Sequence, residues 1–71
     1  MKNELTQEER CEINNIRNEI EKMTHLSATE KQDSLSIILR GMLELYTSEN
    51  VLGTARYELE LCRQRNRAKS L

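Results

Sequence analysis

The sequence predicts an all-α fold: a small three-helix bundle, or a helical hairpin with a third helix, completed by oligomerisation. Three observations lead there. Proline is absent and glycine occurs only twice in 71 residues, so the punctuation that a turn-rich sheet needs is missing. Leu, Glu, Arg and Ile, good or tolerable helix formers, dominate the composition. Apolar residues recur at alternating steps of three and four, the period of a helix with one buried face. A chain of this length buries only about 60% of the surface its unfolded form exposes. Small domains of that kind draw on disulfides, a metal or a partner subunit for stability.

Helix 1 is expected over about residues 7–24. Thr6 followed by Glu9 has capping-box spacing, in which the hydroxyl and the carboxylate each take a backbone N–H of the first turn. Ile13, Ile16, Ile20 and Met23 then form one narrow stripe. Helix 2 is expected over about 28–46, where Ser27 and Glu30 repeat the box and Leu26 is placed to fold back as a hydrophobic staple. Its apolar residues Leu35, Ile38, Leu39, Met42, Leu43, Leu45 and Tyr46 span about 160° of the circumference, a face wide enough for two neighbours. Thr47, Ser48 and Asn50 are cap-type residues that end it. Helix 3 follows over about 49–67 on a stripe of Val51, Leu52, Ala55, Leu59 and Cys62, leaving a basic C-terminal tail over 63–71. One competing pattern runs through it, because Ala55, Tyr57, Leu59 and Leu61 alternate with Arg56, Glu58 and Glu60 as a half-buried strand would. Helix is favoured there, since the residues are better helix than strand formers and no partner strand is evident.

The charges are sorted by side. With Ile13 and Ile20 at heptad position a and Ile16 and Met23 at d, Arg10 and Arg17 fall at e and Glu12 and Glu19 at g. Helix 3 repeats this with Leu52 and Leu59 at a, Ala55 and Cys62 at d, Arg56 and Arg63 at e and Glu58 at g. In a parallel pair g faces e of the other helix, so Glu meets Arg, whereas antiparallel pairing sets like charges together. Helices 1 and 3 are therefore expected to run parallel, with helix 2 reversed between them. Two copies of helix 1 side by side, with Glu12 facing Arg17, satisfy the same sorting.

Several functions are disfavoured by composition. Charged residues make up 32% of the chain but balance to a net charge of −1, which describes neither an acidic tail nor a polyelectrolyte binder. No apolar N-terminal run resembles a secretion signal, and Ile37-Ile38-Leu39 is the longest apolar stretch, so a cytoplasmic protein with no membrane span is expected. Cys11, Cys62 and His25 have no metal-site spacing, and neither metal nor cofactor is expected. Cys62 falls on a core stripe, Cys11 off one, and His25 in a loop. No nucleophile elbow, phosphate loop or distinct carboxylate pair is present, and no catalytic residue is assigned.

Three apolar residues fit no internal stripe: Ile37 projects away from the core side of helix 2, and Tyr57 and Leu61 away from that of helix 3. Singly they are unremarkable surface residues; together they form an apolar patch of the kind that marks association. They are the expected partner-binding residues of a non-enzymatic regulatory protein that binds itself or another protein. The alternative is a nucleic-acid-binding regulator using Arg63, Arg65, Arg67 and Lys69 against phosphates. Those cations lie on several helix faces with no aromatic among them, and cations at a helix C-terminus also complement its dipole. A third reading, an inhibitor of a nucleic-acid enzyme, would have Glu8, Glu9 and Glu12 imitate phosphates; the near-zero net charge argues against it.

Overall fold

A computed structural model describes residues 5–43 and 48–71, with Ser48 as backbone alone. Three helices pack against one another: α1 (Gln7–Glu21), α2 (Ala28–Leu43) and α3 (Ser48–Lys69). Residues 55–61 are helical, and no strand occurs among the described residues. The period of 3.6 prevails over the period of two: Ala55 and Leu59 are buried, whereas Tyr57 is exposed and Leu61 half-buried, so the alternate residues do not share one face.

Both capping boxes form. The Thr6 N–H donates to Glu9 Oε1 at 2.7 Å and the Glu9 N–H to Thr6 Oγ1 at 3.1 Å. Ser27 and Glu30 repeat the exchange at 3.0 and 3.1 Å. Each box satisfies donors that the first turn of a helix leaves without an internal acceptor. α1 ends at Glu21, short of the expected residue 24, with Lys22 as C-cap. The reason lies in the turn that follows. Met23 and Leu26 are both buried, which pulls the chain over the end of the bundle and out of helical geometry. The Lys31 ammonium donates to the Glu21 carbonyl at 2.9 Å, and the His25 N–H donates to Asn66 Oδ1 at 2.9 Å. The expected end of helix 2 at residue 46, with Leu45, Tyr46 and Thr47, lies outside the described residues.

The direction of the helices follows from two forked ion pairs. Arg56 Nε and Nη2 donate to Glu12 at 2.6 and 3.0 Å, and Arg63 Nε and Nη2 donate to Glu19 at 2.7 and 3.0 Å. Both pairs have a sequence offset of 44, so partners advance together and α1 and α3 run parallel, as the g and e sorting requires. The pairing is within one chain. Between them Ile13, Ile16 and Ile20 of α1 are buried, as are Leu52, Ala55 and Leu59 of α3.

α3, rather than the middle helix, is the element with two neighbours: it packs along both α1 and α2, which meet each other far less. Val51, Glu58 and Cys62 of α3 are buried on the α2 side, where α2 presents Ser34, Ile38 and Gly41. The wide apolar face expected to cover two neighbours of helix 2 is correspondingly only half used. Ile38 is fully buried and Leu35 and Met42 pack at the edge of the core, but Leu39 is 43% and Leu43 71% exposed.

A third ion pair joins Lys69 near the end of α3 to Glu30 at the start of α2. Glu30 is held down to about 2, first by the Lys69 ammonium and then by the Ser27 N–H of its capping box. Glu12 and Glu19 are lowered from the ordinary 4.5 chiefly by hydrogen bonds from Arg56 and Arg63. All three carboxyls give up their protons more readily folded than unfolded. Their stabilisation is complete above pH 4.5 and is lost as the pH falls toward about 2, where Glu30 protonates. The thermal midpoint is expected to drop across that window. Replacing Glu12, Glu19 and Glu30 by Gln together should flatten the profile; an equally steep acid transition in that variant would show that other groups control it.

Candidate functional site

The anchor for locating the apolar residues is the contact of Ser34 with Glu58 and Cys62. Cys62 Sγ donates to Ser34 Oγ at 3.2 Å, and the Ser34 hydroxyl donates to Glu58 Oε1 at 2.8 Å. Ser34 is 1% and Glu58 7% exposed, so this short polar chain is enclosed between α2 and α3. Glu58 was expected at a g position with an Arg opposite. The structure turns it instead toward α2, because the g side of α3 is the side that α2 covers.

Ile37 lies one turn beyond Ser34 and Leu61 one turn beyond Glu58. At 100° per residue, each is rotated about 60° from its anchor, and because the two helices run in opposite directions both rotations lead to the side of the seam away from α1. Ile37 is 45% exposed there, and Leu61 is half-buried rather than fully exposed because it lies beside the seam. Tyr57, 63% exposed, continues the face around α3. It borders a depression of about 480 Å³ that is also lined by Glu49, Asn50, Gly53 and Thr54. A second depression, of about 330 Å³, is lined by Asp33, Ser36, Ile37 and Arg40 of α2. Ile37, Leu61 and Tyr57 are the apolar residues expected at a partner surface; Asp33 and Arg40, which border the same depression as Ile37, were not among the expected residues.

The four basic residues at the end of α3 do not converge. The 63–71 segment is helix up to Lys69, not a free tail. Arg63 is engaged by Glu19 and Lys69 by Glu30, while Arg65 and Arg67 point to nearly opposite sides of the helix. Arg63 and Arg67 instead join Lys22 and His25 around an open depression of about 570 Å³. α1 and α3 both terminate at that end of the bundle, so their carbonyl ends supply negative partial charge that Lys22, Arg63 and Arg67 offset. That arrangement favours helix capping over anion capture.

Cys11 is exposed and Cys62 is buried with its thiol hydrogen-bonded. Arg17, half-buried on α1, has its Nε enclosed without a hydrogen-bond partner among the described residues. Among the described residues no group of three or more His, Cys, Asp or Glu side chains is arranged to hold a metal ion. No helix of the described residues is long and apolar enough to cross a membrane. The arrangement defines a small helical bundle with an apolar outer seam. Compared with protein-family models, curated proteins and solved structures, the chain matches none of them.

Proposed function

We propose that this chain is a non-enzymatic regulatory protein that works by protein–protein contact and is itself a homo-oligomer. The observation that carries this reading is the placement of Ile37, Leu61 and Tyr57 on one side of the α2–α3 seam. Large apolar groups gathered on the surface of so small a protein mark association more often than accident. Association also answers the shortage of core in a chain of 71 residues. The test is light scattering on the native chain and on Ile37→Glu and Leu61→Glu. An assembly in the native chain that dissociates in both variants supports the reading; a monomer in every sample removes it.

A nucleic-acid reading draws on Lys22, His25, Arg63 and Arg67 around one depression. Phosphate contacts make affinity fall steeply with salt. Binding of single- or double-stranded oligonucleotides that weakens with salt and with Arg67→Glu would favour this reading over association.

A further inference from the structure

Within the homo-oligomer reading, on which it rests, the structure assigns the contact: we infer that two copies pair through α2, antiparallel about a two-fold axis passing between Ser36 and Ile37. The argument is charge complementarity. Asp33 and Arg40 are exposed, border the same depression as Ile37, and form no hydrogen bond or ion pair among the described residues. Their midpoint in the chain falls between Ser36 and Ile37. An axis there sets Asp33 opposite the partner's Arg40 and Arg40 opposite the partner's Asp33, while each Ile37 enters the space beside the partner's Ser36. A face that carries one acid and one base equally far from the axis, with an apolar residue beside it, is its own complement, which a two-fold contact requires and a uniformly charged partner would not match. The small Ser36 side chain permits close approach of the helices. Stable pairs cover about 800 Å² on each partner, and Leu61 and Tyr57 lie on the same side of the seam as Ile37. The proposed contact extends onto these two residues of α3.

The experiment is a charge exchange read by analytical ultracentrifugation. Asp33→Arg alone sets Arg against Arg at both ends of the contact, and Arg40→Asp alone sets Asp against Asp; each should raise the dimer dissociation constant by about tenfold or more. Mixing the two variants restores both opposite-charge pairs, and an equimolar mixture should recover a dimer containing one chain of each kind. Both substitutions are on exposed helix positions, and helical circular dichroism with a cooperative melt checks each fold. A native dimer that either variant leaves equally tight, or whose two folded variants do not recover on mixing, overturns this contact while leaving association through another surface standing. A native chain that is monomeric at every concentration overturns both.

Discussion

Ile20→Ala is expected to lower stability by about 2–5 kcal/mol. Ile20 is 0% exposed and directly follows Glu19, whose fork with Arg63 is one of the two that join α1 to α3. Removing its branched end leaves a void that backbone held by those forks closes only partly. A domain of this length has a total stability of about 4–10 kcal/mol, so the substitution removes a large share of it. The thermal midpoint should fall by 10 °C or more, since each kcal/mol moves a domain of this size by about 4–8 °C. Ile37→Ala is the control. At 45% exposure, Ile37 has much less buried area to lose, and its thermal midpoint at low protein concentration should change by only a few degrees. Thermal melts that rank the two substitutions in the opposite order would mean that α1 does not rest on α3.

Ser34→Ala is expected to cost about 1–3 kcal/mol, although it deletes a single oxygen. That oxygen is both donor and acceptor: it gives its proton to Glu58 and takes one from Cys62. Alanine leaves the Glu58 carboxyl and the Cys62 thiol between two helices with no hydroxyl to join them, and at 7% exposure little of Glu58 faces solvent. Adding Glu58→Leu to Ser34→Ala should recover much of the loss, because two apolar groups in place of a bonded polar pair are far better tolerated than one orphan. Urea unfolding of the native chain, both single variants and the double variant measures this directly. Additive costs would show that Ser34 and Glu58 do not act as a pair.

Local chemistry made much of this fold legible. The capping boxes at Thr6 and Ser27 rest on side chains three residues from their targets, so spacing alone identifies them. The parallel direction of α1 and α3 was readable because a heptad converts sequence position into a side of the helix, but the same sorting also suited two copies of helix 1, so the pairs Glu12–Arg56 and Glu19–Arg63 themselves were not. Which helix sits at the centre was not readable. α2 has the widest apolar arc, yet Leu39 and Leu43 remain exposed, because the arc records where apolar residues point and not whether another helix reaches them. Glu58 misled for a related reason: a g position is solvent-facing only when the coil has two strands, and here α2 covers it. Ser34 carried a signal that was available, since it shares a helical face with Ile38 and Gly41. The apolar members of the candidate surface were legible as residues outside every stripe. Asp33 and Arg40 were not, because in a chain that is 32% charged nothing distinguishes them until the ion-pair partners of the other charges are known.

That α1 and α2 each rest on α3 and scarcely on one another also governs the order of assembly. During synthesis the first two helices leave the ribosome with only their small mutual contact to settle on, and isolated helices of 15 and 16 residues are marginal in water. Productive folding must wait for the last helix to emerge, and until then the isoleucines of α1 are open to chaperones.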